Sequence, residues 1–529
     1  MDDAEVTGEG VDAGCGEGIT ELGEGGHIVS EDKKGGAVLN EQVLASLPSR
    51  IGKPNYDRRA VRPAIVHFGV GGFHRAHQAV YTDDVLAAGD LCWGIRGAGI
   101  TEADVAMKAA LSQQDFLYTV VARDPEAEDV RIVGAIGDLI LGARDPKALV
   151  SAMADVATRI ISMTITENGY CYRADTGDLD TDNPAVRNDI AGADGLRTIY
   201  GCLRAALSEV RSRGGIPPTI MSCDNLPQNG DRLKRLFLQY LELADRDLRR
   251  YVSEEVSFPN CMVDRITPAT TVDDRAYLLQ STTISDQWPV FCERFRQWVI
   301  EDRFTKGHPD WSIAGATFVP DVVPFERMKI RLLNGSHSAL GYVSYLMGFR
   351  RVDLAMADPD VRVFVRSYMD EISPTVGAVP GINLGQYKDS LIRRFSNPAI
   401  ADQVLRLAQD GSKKIPNMIL EPVEEMLDGG TGFPKAAFAI AAWIRFLEGV
   451  DESDELIPID DPLGKVLQEA AQSTRSGDVQ PFLAVNAVFP RHVAQNALFS
   501  DAIAASLASI RNLGMRGALR AYRSMDRST

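Results

Sequence analysis

Lys329, Asn334 and His337 fall within one short stretch, KIRLLNGSHSALGY (residues 329–342), among Ile330, Leu332, Leu333, Ala339 and Leu340. An ammonium or amide in a segment patterned for burial costs free energy unless it is paired or used. A lysine walled by apolar groups and close to another potential cation has a lowered pKa, which suits it to act as a general base. An asparagine amide is suited to hold a developing alkoxide. The spacing predicts one helix, on which Asn334 and His337, three apart, share a face. Lys329 lies about 80° from His337 and about 140° from Asn334 at ~3.6 residues per turn, so its long stem must carry the amine to a common cleft. A helix whose polar side simply meets solvent fits the same pattern, so the spacing permits a shared site without demanding it.

A second chemical signal is HFGVGGFHRAH (67–77), where Gly69, Gly71 and Gly72 stand between a predicted strand and a predicted helix. Glycines there let a backbone approach a pyrophosphate, and the helix N-terminus adds positive potential. Phe73, His74 and Arg75 complete this candidate cofactor-binding turn, with His74 in the place of the third glycine of the usual fingerprint. A tight turn with no ligand also accounts for it. A second glycine turn ends CWGIRGAG (92–99) and is followed by Glu102 and Asp104. Acids after such a strand hold the adenosine ribose of NAD, although they also suit the first turn of any helix. Arg96 in the same neighbourhood would attract a 2′-phosphate, which leaves NADP open beside NAD.

The elements that must position these groups follow from the rest of the chain. Its 529 residues suit two domains, and no apolar run approaches membrane-spanning length. The net charge of −17 is uneven: residues 1–34 hold ten acids and two lysines, and the remainder carries only −9. No basic face suggests nucleic acid. The Gly- and acid-rich residues 1–40 are expected to be a disordered tail with neither a secretory nor a transit pattern. Seven scattered cysteines lack a framework spacing, which fits reduced thiols in a cytoplasmic protein. His74 and His77 are close but have no companion ligands, so no metal site is expected.

From residue 41 to 324 strand-like segments (63–72, running into the glycine turn, then 92–99, 131–141, 159–170 and 218–227) alternate with helical spacing at Leu149–Ala157 and Leu196–Val210. That alternation predicts an α/β domain of Rossmann type with a parallel sheet. From 325 to 529 helical patterns dominate, predicting a mainly α-helical domain with the catalytic cleft between the two.

The residues of K-x4-N-x2-H, with Lys329, Asn334 and His337 in its fixed places, resemble the signature of the polyol-specific long-chain dehydrogenases. GVGGFHRAHQAVYTD (69–83), TITENGYC (164–171), SCDNLPQNG (222–230), SFPNCMVDRITP (257–268) and AVPGINLGQYKDSL (378–391) are similar as well, so the likeness runs from about residue 45 to 515. It implies NAD(P)-dependent, zinc-independent hydride transfer between D-mannitol and D-fructose, or a sister reaction on arabinitol, sorbitol or a hexuronate. By the resemblance Lys329 is the general base, Asn225 and Asn334 hold the oxyanion, and His337 places the substrate. Asp264, Arg406 and Lys414 would grip the other hydroxyls, with Lys413 beside Lys414 leaving the register one residue uncertain. Glu167 would pass the proton of Lys329 to solvent. A monomer is expected. A nucleotide-binding protein that has lost turnover is the reading from another class, and the joint presence of Lys329, Asn225, Asn334 and His337 argues against it.

Overall fold

A computed structural model describes residues 36–101, 103–173, 176–192 and 195–526. Most of the tail expected over 1–40, and Glu102, lie outside those residues. The end of the tail is structured: Ala37–Val38 pairs in parallel with Ile284–Ser285, and Leu39 is fully buried. Three consecutive apolar side chains there end the acidic composition and give the chain something to bury.

Five strands form a parallel sheet: β1 (Pro63–Phe68), β2 (Gly94–Gly99), β3 (Ile136–Leu141), β4 (Ile160–Met163) and β5 (Thr219–Ser222). Their order is β3-β2-β1-β4-β5. Successive side chains of a strand point to opposite faces. Ile65 and Val66, like Ile160 and Ile161, accordingly enter two separate cores, one on each side of the sheet. Both faces are covered, which is the doubly wound arrangement the alternating pattern predicts. The chain leaves β1 toward β2 on one side and returns to β4 on the other, so a crevice opens between the C-terminal ends of β1 and β4.

Smaller sheets surround this one. Tyr118–Arg123 pairs with Glu128–Val133 and Val290–Glu293, while Gln297–Glu301 pairs with Cys261–Asp264 and Thr317–Val319. Past Val319 no strand occurs among the described residues. The helical half builds one large core, and Met262 and Val299 of the neighbouring sheet are part of it. The halves therefore share apolar packing. Among the described residues no helix is long and apolar enough to cross a membrane.

The helix expected over 329–342 forms, with a difference. Val323–Met328 is α-helical, Lys329–Asn334 is a π-helical turn, and Gly335–Leu346 resumes the α-helix. Arg331 pins the turn, donating to both oxygens of Glu425 at 2.8 and 2.6 Å and to the Thr375 carbonyl at 2.6 Å. A second π turn, Pro416–Leu420, packs against it. Gly335 is needed at that crossing, because a Cβ there would lie 2.6 Å from the Tyr368 hydroxyl and 3.0 Å from the Met418 carbonyl.

Candidate active site

Lys329 is 7% exposed, and its Nζ donates to Asn225 Oδ1 at 2.5 Å. Burial holds the amine below the usual lysine value; Asp264 and Glu326 pull it up, and Arg394 adds to the lowering. Asn225 follows β5 and opens to the cleft. Its neighbour Asp224 accepts the backbone N–H groups of Ile165 and Thr166 at 3.0 and 3.1 Å and the Tyr170 hydroxyl at 2.7 Å. The loops after β4 and β5 are thereby latched together, which fixes where Asn225 meets the lysine. With Oδ1 engaged by Lys329, the Asn225 amide nitrogen is left to donate into the cleft.

The π turn changes the geometry that the helical wheel predicts. Residues five apart close a π turn of about 4.4 residues, which sets Lys329 about 50° from Asn334 and within about 10° of His337. On that ideal geometry the wider turn brings the lysine nearer to the face of the other two polar groups than an α-helix would. His337 is half-buried and packs on Phe395, ring centroids 4.4 Å apart. Burial, with Arg406, Arg394, Lys414 and Lys329 around it, holds His337 well below the usual histidine value, so it is neutral.

The glycine turn sits at the mouth of the β1/β4 crevice. Gly69 has φ +83°, and a Cβ on it would lie 2.0 Å from the Thr164 carbonyl oxygen, so glycine is required for the two loops to meet. Gly71 is exposed, and a Cβ on it would meet only the Gly69 carbonyl, at 3.9 Å. The backbone at Gly71 and Gly72 is therefore open to a ligand, at the switch point of a parallel sheet where dinucleotides bind. The turn fits a pyrophosphate.

The two halves of the chain match separate models of one family: Mannitol dehydrogenase Rossmann domain over residues 63–313, and Mannitol dehydrogenase C-terminal domain over 321–511. The chain belongs to the mannitol dehydrogenase family. Mannitol dehydrogenase 2 of Saccharomyces cerevisiae is 38% identical over 93% of this chain and 99% of its own. The solved ternary complex of Pseudomonas fluorescens mannitol 2-dehydrogenase with NAD and D-mannitol is 38% identical, with a TM-score of 0.85 over 92% of this chain and 99% of that one. A D-sorbitol dehydrogenase in substrate-free form is 34% identical, with a TM-score of 0.83 over 91% of this chain and all of the other.

Within this mannitol dehydrogenase fold, some expected roles move. Phe73 is half-buried and stacks on His77, ring centroids 4.9 Å apart. His74 and Arg75 turn inward: His74 stacks on His67, and Arg75 donates to the Trp288 carbonyl beside the Tyr118 ring. The helix begins at Gly72, and its first turn buries both side chains, so they do not face the open side of the glycine turn. Asp104 stands at the C-terminal end of β2, packed against Gly99 and accepting the Thr101 hydroxyl at 2.8 Å. Arg96 lines a cavity with Pro63, Gly94 and Gly134, at the opposite end of the strands. Its backbone lies three residues, about 10 Å, before the end of the strand that leads to the second glycine turn.

Asp264 does not face the cleft with free oxygens, because Arg394 binds both, at 2.8 and 2.9 Å. Its neighbour Arg265 donates instead to the Ala76 and Glu293 carbonyls, so the two do not form an ion pair with each other. Arg406 is exposed and held by Asp402, and Lys414 donates to the Arg406 and Leu407 carbonyls at 3.4 Å. Burial lowers Lys414 to about 8. Lys414 acts electrostatically on His337, whereas Lys413 pairs with Glu167 at 4.0 Å and Asp410 at 3.4 Å. Glu167 thus stands against Lys413 at the mouth, not against Lys329.

Two groups beside Lys329 were not read from the sequence. Glu326 is buried; its Oε2 accepts the Gln228 N–H at 3.1 Å, while Oε1 has no partner among the described residues. Burial pushes Glu326 up to about 7. Its position three before Lys329, on one helix face, was the available signal. Arg394 carried no signal, since RRF offers two equal arginines and only the packing shows which turns inward.

Proposed function

We propose that this protein interconverts D-mannitol and D-fructose by NAD-dependent, metal-independent hydride transfer with Lys329 as general base. The observation that carries the reading is the buried Lys329 amine held on Asn225, beside the β1/β4 crevice. Gly69, Gly71, Gly72 and Asp104 would hold NAD, which would supply the hydride acceptor. Lys329 accepts the hydroxyl proton of the secondary alcohol, its basicity made possible by burial. The Asn225 and Asn334 amides donate to the oxygen as negative charge develops on it. These groups supply both proton transfer and charge stabilisation, so the chemistry needs no Lewis acid. Neutral His337 hydrogen-bonds a neighbouring hydroxyl, and Lys414 serves a more distant one.

The proton then leaves through Glu326 rather than Glu167. Its carboxyl has a free oxygen and a pKa near neutrality, the properties a relay needs. The remoteness of Arg96 supports NAD over NADP. Initial rates of mannitol oxidation and fructose reduction with both cofactors, beside sorbitol, arabinitol and hexuronates, test the reading. Mannitol and fructose with NAD should lead; a clear preference for another polyol or a uronate would replace the substrate. Lys329→Ala should abolish turnover while leaving NAD binding intact, and retained turnover would remove Lys329 as the base.

A further inference from the structure

Arg394 comes from the helical half, in helix Leu384–Phe395, and ends among carboxylates of the other half. It donates to both oxygens of Asp264 at 2.8 and 2.9 Å and to both of Glu293 at 2.9 and 2.8 Å. All three side chains are 7% exposed or less. The Phe295 ring covers the guanidinium at 4.1 Å. Asp264 stands at the end of strand Cys261–Asp264 and Glu293 at the end of Val290–Glu293, so one cation joins two sheets and a helix.

The charges around this array are few and can be named. Lys329 and His77 act on Asp264, and Tyr387 faces the array from the helix of Arg394. Arg265 and Arg296 stand behind, with Arg265 turned to backbone carbonyls. Lys329 in turn is acted on by Asp264 and Cys261 from one strand, Arg394 from the helical half and Glu326 from its own helix, and neutral His337 faces both Lys329 and Arg394. Two carboxylates on one guanidinium leave one negative charge inside the hydrogen-bonded array. A clamp that only joined the halves would need a single carboxylate.

We propose that Arg394 is a positioning residue of the reaction: by locking Asp264 and Glu293 into one array with a single residual charge, it fixes the charge against which Lys329 takes up and releases its proton. This rests on Lys329 being the base, as read above. Protonated Lys329 brings the array to neutrality, and the neutral amine leaves it one charge negative. Asp264 and Arg394 of this array both act on Lys329, so the array's residual negative charge favours the ammonium and opposes the lowering that burial causes. Because Arg394 arrives from the helical half, the base acquires its working basicity only where the halves meet.

The test uses the full-length protein and two readouts: the acid limb of kcat/KM for mannitol oxidation, and the pH dependence of Lys329 acylation by acetic anhydride, followed by peptide mass. Glu293→Gln, nearly isosteric, removes the residual charge and should move both midpoints down by about one unit. Adding Arg394→Gln to that variant restores one negative charge and should move both back up. A midpoint within about 0.3 units of wild type in Glu293→Gln would overturn the proposal, as would a uniform loss of rate at every pH. Failure of the double variant to reverse the shift would overturn it too, and if the double variant does not fold, Glu293→Gln alone decides. Labelling that shifts as expected in a protein that oxidises no polyol would uphold the array and remove the reading of the function instead.

Discussion

The contact between Lys329 and Asn225 makes one substitution unusually informative. Asn225→Asp keeps the shape of the side chain and places a carboxylate oxygen where the amine now meets an amide oxygen at 2.5 Å. Asn225 opens to the cleft on its other side, so an effective dielectric of about 40 is appropriate. At about 3 Å a full charge is then worth ~3 kcal/mol, or about two units in the lysine equilibrium. The sign is upward, because a carboxylate favours the ammonium. Below the acid limb each unit leaves tenfold less neutral amine, so kcat/KM for mannitol oxidation should fall about 100-fold there and recover as pH rises past the displaced limb. A further loss, equal at all pH values, should come from the missing amide donor. The assay is initial-rate NADH formation across the pH range in which wild type passes from its limb to its plateau. If the limb stays in place and only the pH-independent loss appears, Asn225 does not touch the base and the assignment of Lys329 fails.

Other expectations follow from the same site and from the sheet beneath it. Glu326→Gln should remove an inflection near pH 7 from the kcat profile and slow turnover roughly tenfold or more; an unchanged profile would exclude Glu326 from the proton path. His67 is fully buried, which lowers it to about 3, with the Gly69 carbonyl and Gln78 opposing. Its neutral form is the folded form, so its contribution is complete above the unfolded value near 6.5 and is lost as pH falls. The stability gap between wild type and His67→Gln in urea unfolding should therefore shrink by about 2 kcal/mol from pH 8 to pH 5, and parallel curves would refute this. Gly69→Ala should cost at least ~2 kcal/mol and weaken NAD binding, since its φ is +83° and its Cβ would strike the Thr164 carbonyl; a urea midpoint and an NAD titration like those of wild type would refute it.

The sequence made the sheet legible where glycine and apolar alternation coincided. β1, β2, β4 and β5 and their turns follow from side-chain pattern alone, because a doubly covered strand must be apolar on both faces. Val290–Glu293 was not legible, as its pairing with Tyr118–Arg123 joins segments about 170 residues apart. Lys329, Asn334 and His337 announced themselves as polar groups in an apolar frame. The lysine's shift toward the other two did not, because a wheel drawn at the α-helical period cannot show a π turn that packing imposes. His74 and Arg75 misled for the reverse reason: they lie beside the glycines in sequence, yet the helix that starts at Gly72 buries them. The partner of Asp264 was invisible, since nothing in RRF separates Arg393 from Arg394.

The way Arg394, Met262 and Val299 cross between the halves bears on how this chain can be recombined. Family models treat the two parts as separable modules, and a chimera would join them near residue 320. A helical part lacking an arginine at position 394 would leave Asp264 and Glu293 buried without the cation that hydrogen-bonds both, a loss of about 3–5 kcal/mol. Such a chimera would also have to supply side chains that close around Met262 and Val299. Exchange between relatives is therefore governed by agreement at this seam more than by the sequence similarity of either part.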